Sequence, residues 1–365
     1  VAPGKAGGLG TFGGVFTPSM LTILGVIMYL RFGWVVGNVG LGGTLLIVTL
    51  STSITFLTAL SIAAIATDQR VRTGGAYYMI SRSLGIEAGG AIGIPLFLAQ
   101  GLSVALYTVG FAESMVAVFP FLNEKAVGLV TTVAVAGLAV TSARAAIRAQ
   151  YFIMGAIVLS ILALLFGQPV SNTPPEIAIQ LTQERESFWV VFAVFFPAVT
   201  GIMAGVNMSG DLENPGRSIP RGTFAAIGVG YLVYMIIPVL LVLRVERGAL
   251  LSDPLVMQRM ALWGPAILLG VWGATLSSAV GSILGAPRVL QALARDGILP
   301  RRLHWLGAGS GPEDTPRAGT VVTLGLALAA VWFGNLNIIA PVLTMFFLTT
   351  YGVLNISAGI EKLLE

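Results

Sequence analysis

Long apolar runs, each closed by a short polar stretch, follow one another along nearly the whole chain. A helix rises about 1.5 Å per residue, so about 20 apolar residues cross the hydrocarbon of a bilayer. Ten runs approach or exceed that length: 15–37, 41–66, 90–119, 126–143, 149–167, 188–209, 222–243, 260–286, 318–334 and 338–358. Backbone in lipid must satisfy its own hydrogen bonds, so the pattern predicts an all-α polytopic membrane protein.

Some connections are short, such as "NVGLGG" (38–43) and "GNLN" (334–337). Two longer segments, after spans two and eight, each hold an amphipathic run, Tyr77 to Leu84 and Val289 to Asp296. The helical spacing of their apolar residues predicts two helices lying along the inner membrane face. Gln168 to Ser187, with its prolines, reads as an irregular outer loop.

The spans are not uniform. Span one reads "TPSMLTILGVIM", with Pro18, Thr22 and Gly25; span six reads "FPAVTGIMAGVN", with Pro197, Thr200 and Gly201. Dividing the ten spans five and five, 15–167 and 188–358, makes these two the openers of each half. Interruptions in corresponding spans are the sequence pointer to an inverted-repeat transporter whose site lies at the midplane. The half-helix before a break ends in exposed carbonyls, which attract cations. The half-helix after it begins with exposed N–H groups, which attract anions. In span six the Pro197 carbonyl and Thr200 hydroxyl would face a cation, and the Gly201, Ile202 and Met203 amides an anion. In span one the carbonyls from Leu21 to Leu24 and the amides of Gly25, Val26 and Ile27 are the equivalents. A blander reading stands beside this one. Gly201 and Gly205 also form a GxxxG packing face, and Pro197 alone would kink the span.

Composition agrees with the membrane reading: 56% of residues are hydrophobic and 10% charged, with a mean hydropathy of +0.89. Cysteine is absent and His304 is the single histidine, in a loop. Disulfides, thiolate chemistry and a histidine-built zinc cage or triad inside the membrane are therefore excluded, and no enzyme is expected. With the N-terminus inside, the inner loops and tails hold fourteen of the twenty Lys and Arg residues and the outer side six. This positive-inside bias places both termini in the cytoplasm, as segments 1–14 and 359–365, and the chain in the cell membrane. It also accounts for the net charge of +4 without a nucleic-acid partner. Residues 1–14 do not read as a signal peptide, and a chain starting on Val1 is expected to lack its original start.

Further candidates lie in other spans. In "GATLSSAVGS" of span eight, Ala274, Ser277 and Ser278 offer one carbonyl and two hydroxyls, hard ligands for a small alkali cation. Serines in membrane helices also bond their own backbone. Tyr107 and Tyr351 are mid-span phenols, suited to packing or to ligation. Arg31 and Glu113 fall toward the outer ends of spans one and three, where they form either an outer gate or a static salt bridge.

At this point the residues resemble the cation–chloride cotransporter family, within the amino acid–polyamine–organocation superfamily. The stretches that carry the resemblance are "MLTILGVIMYLRFGWVVG" (20–37), "VRTGGAYYMISRSLG" (71–85), "ALYTVGFAES" (105–114), "FFPAVTGIMAGVNMSGDLENPGRSIPRGT" (195–223), "TLSSAVGSILGAPRVLQALARDGILP" (275–300) and "APVLTMFFLTTYGVLNIS" (340–357). The resemblance implies a LeuT-like 5+5 inverted-repeat fold with discontinuous helices one and six. It implies electroneutral symport of chloride with potassium, sodium or both, without a cofactor. Carried over by position, potassium meets the carbonyls of Thr22, Ile23 and Pro197 and the side-chain oxygens of Tyr107 and Thr200. One chloride meets Gly25, Val26 and Ile27; another meets Gly201, Ile202, Met203 and the Tyr351 hydroxyl. Sodium meets the carbonyls of Leu21, Leu24 and Ala274 and the hydroxyls of Ser277 and Ser278. The paired serines together with Tyr107 favour the sodium–potassium–chloride type, either a prokaryotic relative or a trimmed transmembrane core.

Thr22 and Leu24 depart from the Asn and Trp of familiar animal members. The family also continues beyond span ten with parts that support dimerisation, so a homodimer stays an open question. The competing readings are an amino-acid permease of the same superfamily, which binds an organic substrate at the same breaks, and a non-transporting scaffold.

Overall fold

A single glycine sets how the first two spans meet. Gly40 adopts φ 69° and ψ −178°, a conformation that side chains rarely accept, and it kinks the chain between two helices inside the predicted 38–43 connection. The computed structural model describes residues 8–68, 75–141, 143–170, 186–311 and 314–364. The N-terminal segment up to Gly7, the inner-loop residues Arg70 and Arg72, most of the expected outer loop (171–185) and Glu365 lie outside the described residues.

Helices α1 (Thr17–Ile23) and α2 (Val26–Leu30) are two pieces of the first span, preceded by a π-helical turn at Phe12–Phe16. Helix α3 (Phe32–Asp68) finishes that span and, across Gly40, forms the second. The amphipathic α4 (Gly75–Leu84) leads into α5 (Ile86–Val118), α6 (Glu124–Thr141) and α7 (Ala143–Leu165). Helices α8 (Phe188–Phe195) and α9 (Ile202–Asn207) are the halves of span six, joined through a 3-10 turn at Phe196–Val199. Then come α10 (Pro215–Arg244), the short α11 (Arg247–Ser252) and α12 (Val256–Met260), α13 (Gly264–Arg295), α14 (Arg317–Phe333) and α15 (Leu336–Leu364).

Among the described residues, eight helical segments are long and apolar enough to cross a membrane. With α6 and α14 they occupy the ten predicted positions. The protein is thus an all-α polytopic membrane protein with a discontinuous first and sixth span, the LeuT-like arrangement. Helices α5 and α13 pack against each other at the centre, with α7 and α15 against them, while α10 packs on α3. Phe152, Val130, Phe333 and Met345 stay exposed, as expected of a surface turned to lipid.

One local expectation is corrected. Val289 to Asp296 is not a separate helix on the membrane face; α13 runs without interruption through Pro287 to Arg295. Val289, Leu290, Leu293 and Ala294 are buried, and their packing carries the helix past the proline. On α4, Tyr77 and Ile80 are buried in the protein. The Tyr77 hydroxyl donates to Asp296 at 3.0 Å and Arg82 to the same carboxylate at 2.9 Å. Gly93 of α5 leaves the room for this junction, because a Cβ there would stand 2.6 Å from Tyr77 and 2.8 Å from Leu293.

Candidate ion-binding site

The two breaks are built differently. In the first, Leu24 (φ −85°, ψ 47°) and Gly25 (φ −105°, ψ −149°) leave helical geometry between α1 and α2. A Cβ on Gly25 would stand 2.7 Å from the Thr22 carbonyl oxygen, so the tight corner demands glycine. The second tightens into the 3-10 turn and then passes through Thr200 and Gly201. Pro197 lacks an N–H, and its carbonyl accepts from the Thr200 hydroxyl at 2.8 Å and from the Thr200 amide at 3.3 Å. Among the described residues, the amides of Gly25 and Gly201, which stand at the two breaks, take no carbonyl partner. The Met203 amide donates to the Thr200 carbonyl over 3.5 Å.

The breaks lie against each other. A Cβ on Gly201 would stand 2.8 Å from both the Ile23 amide nitrogen and the Thr22 Cβ. Gly205 has a different reason to be glycine: its Cβ would meet Ser19 Oγ and the Val15 carbonyl, both at 2.8 Å. It lets α9 pack on the start of the first span.

A cavity of about 250 Å³ opens beside the breaks. Of the sequence candidates, Leu21, Thr22, Tyr107, Thr200, Gly201, Met203, Ser277 and Ser278 line it. Ile23, Leu24, Gly25, Val26, Ile27, Pro197, Ile202, Ala274 and Tyr351 are buried behind that wall. Ser278 Oγ donates to the Leu21 carbonyl at 3.4 Å, which ties α13 to the first break. Ala274 precedes Ser278 by one helical turn on the same face. The Tyr351 hydroxyl donates to the Thr200 carbonyl at 3.2 Å, which directs its proton to the second break's carbonyl. Tyr107 has no hydrogen-bond partner among the described residues. Among the described residues the cavity lining includes no Asp or Glu, so a cation here would meet neutral oxygens.

Along α5, Gln100 and Glu113 lie on opposite sides of Tyr107. On the Glu113 side, Arg31 forms a two-pronged ion pair with Glu113 at 2.7 and 2.8 Å. It also donates to Asn337 at 2.7 Å and to the Leu30 carbonyl at 2.9 Å. This clamp joins the first span, α5 and α15. The cavity extends the other way, to Gln100, Asn207 and Arg288. There Asn207 donates to Gln100 at 3.1 Å, bridging α9 and α5. A Cβ on Gly285 would collide with both amides, at 2.6 and 2.7 Å, so α13 is notched to admit them.

Two participants escaped the sequence reading. Tyr234 of α10 donates its hydroxyl to the Ile23 carbonyl at 2.5 Å. The signal was present, because Tyr234 is as much a mid-span phenol as Tyr107 and Tyr351. The Gln100–Asn207 bridge was visible only as two isolated amides in apolar runs.

The amino acid permease family profile matches residues 14–358. The chain is 36% identical over 357 residues to mouse solute carrier family 12 member 8, covering 94% of this chain and 50% of that protein. It is 35% identical over 405 residues to human solute carrier family 12 member 1, covering 94% and 37%. It is 34% identical over 404 residues to human solute carrier family 12 member 2, covering 94% and 33%. The chain thus spans a third to a half of the length of these curated relatives. With a profile match running from before the first break to the end of the last span, the chain belongs to the amino acid permease family of membrane transporters.

Proposed function

We propose that the protein is a secondary active, electroneutral symporter that couples chloride to potassium and sodium by alternating access. The observation that carries this reading is the junction of two helix breaks on one cavity, with Tyr107, Thr200, Ser277 and Ser278 facing into it. Potassium is assigned to Thr22, Ile23, Pro197, Tyr107 and Thr200, and sodium to Leu21, Leu24, Ala274, Ser277 and Ser278. Chloride is assigned to the amides of Gly25, Val26 and Ile27 and, at a second station, to Gly201, Ile202, Met203 and the Tyr351 hydroxyl. Those stations supply dipoles and no carboxylate, so a bound cation keeps its full charge in a medium of low dielectric. A nearby anion offsets it, which favours co-binding of chloride and overall electroneutrality. The Arg31–Glu113 clamp serves as the closed outer gate while the cavity faces the cytoplasm, where both termini lie. Residues 15–167 and 188–358 form the two five-helix repeats.

The relatives in solute carrier family 12 support this reading at about 35% identity. The test is ion substitution in proteoliposomes. Potassium uptake is expected to require external sodium and chloride and to carry no net current. Uptake indifferent to chloride removal overturns the proposal. The family match also supports an amino-acid permease as a second reading. Against it, Leu21, Leu24 and Val26 crowd the first break with branched side chains. Amino-acid exchange without ion dependence would favour that second reading.

A further inference from the structure

On the side of the first break away from the main cavity, α3 and α10 enclose a small pocket. Its walls include Thr52, Thr55, Ile23, Gly230, Tyr231 and Tyr234, and its volume is about 10 Å³. That lies at the lower end of the roughly 10–15 Å³ that one water molecule requires.

The hydroxyls of Thr52 and Thr55 are buried and have no hydrogen-bond partner among the described residues. Three residues apart, they share one face of α3. Other hydroxyls of the same helix behave in the ordinary way and donate to the carbonyl one turn back: Thr44 to Gly40 at 2.7 Å, Ser53 to Thr49 at 2.8 Å and Thr58 to Ile54 at 2.9 Å. Ser51 also lacks a partner, but it does not line this pocket. Opposite stands Tyr234, fully buried, whose proton goes to the Ile23 carbonyl and whose oxygen keeps its lone pairs. Gly230 permits the approach, because a Cβ there would stand 2.7 Å from the Ile23 side chain.

We propose that this pocket is a hydration site. One water molecule accepts from one threonine hydroxyl, donates to the other, and donates its second hydrogen to the phenolic oxygen of Tyr234. Each orphaned hydroxyl is satisfied, and the Tyr234 hydroxyl is held in the orientation that donates to Ile23. Tyr234 is then a positioning residue for the carbonyl edge of the first break, and the water orients it. An alkali cation fits worse, because Val199 and Ile227 make the remaining walls apolar. The effect on potassium rests on the assignment of Ile23 above; the water site does not.

The test has two arms. In the first, an experimental map that resolves ordered waters elsewhere in the protein is compared for the wild type and Thr55→Val. The expected result is one water within hydrogen-bond distance of Thr52, Thr55 and Tyr234, lost in the variant. No density at this position, or density with the many short oxygen contacts of a cation, overturns the proposal. In the second arm, Thr55→Val raises the potassium KM about three- to tenfold, the worth of one hydrogen bond. It leaves the sodium and chloride KM and the maximal rate unchanged, and Thr55→Ser, which keeps the hydroxyl, restores the wild-type value. A uniform rise for all three ions, or a serine variant as impaired as valine, reduces the pair to packing and overturns the coupling to Ile23. Wild-type uptake that needs no potassium defeats the proposed function instead, and the map still decides the water.

Discussion

Gly201 sits so close to Ile23 that a Cβ on the glycine would stand 2.8 Å from the isoleucine's amide nitrogen. The two interruptions therefore share one wall, and neither can shift without the other. Gly201→Ala should displace the second break from the first. Overpacking of this kind costs about 1–3 kcal/mol. Ion uptake is expected to fall at least tenfold, with a lower thermal midpoint of the purified protein. Wild-type uptake by this variant would mean that the breaks do not act as a unit.

Tyr107→Phe separates ligation from stability. The phenol lines the cavity and bonds to nothing among the described residues, so removing its oxygen breaks no internal bond. The thermal midpoint is expected to hold while the potassium KM rises about tenfold, the loss of about 1.4 kcal/mol. An unchanged potassium KM removes Tyr107 from the site.

Ser277 and Ser278 are expected to govern sodium. The bond from Ser278 to Leu21 is long at 3.4 Å, so its loss alone costs little stability. Ser277→Ala and Ser278→Ala should each shift the sodium dependence of potassium uptake upward several-fold. A sodium titration matching wild type in both variants would leave the serines as helix-packing groups.

Charge reversal tests the clamp. Arg31→Glu leaves Glu113 facing a like charge in a largely buried place, and losing one partner of a buried pair costs about 3–5 kcal/mol. Uptake should collapse, and adding Glu113→Arg should restore part of it. The rescue is partial because Arg31 also holds Asn337 and the Leu30 carbonyl, which a glutamate cannot do. A double reversal no better than the single one would make the pair incidental to transport.

At the surface, Asp314 is held below the usual carboxylate range by its hydrogen bonds from Arg295, at 2.6 and 2.7 Å. A depressed carboxylate contributes stability that is complete above its ordinary pKa and lost as pH falls through the lower folded value. Between about pH 6 and 8 this pair should therefore add no pH dependence. Both side chains are about half exposed, so Asp314→Asn is expected to cost under about 1 kcal/mol. Thermal melts of the variant across that pH range are the check.

The breaks were legible because Pro197, Thr200, Gly201 and Gly25 are unusual choices for an apolar span. The Gly40 kink was legible from its glycine-rich neighbourhood. What stayed hidden depended on partners distant in sequence. Tyr234 reads as a packing aromatic until Ile23, in another span, presents its carbonyl. Thr52 and Thr55 resemble every other mid-span threonine until their missing partners are seen. Val289 to Asp296 reads as a separate helix from its amphipathic spacing, whereas its buried face carries α13 on past Pro287.

Two contacts that tie α5 to its neighbours are made of unlike materials. The Arg31–Glu113 clamp is made of full charges, while the Gln100–Asn207 bridge is made of neutral amides. Dissolved salt weakens the first wherever solvent reaches it and leaves the second almost untouched. If the clamp is the outer gate proposed above, the salt of the compartment facing it sets how readily it opens. The amide bridge keeps its grip whatever the ionic strength of its bath.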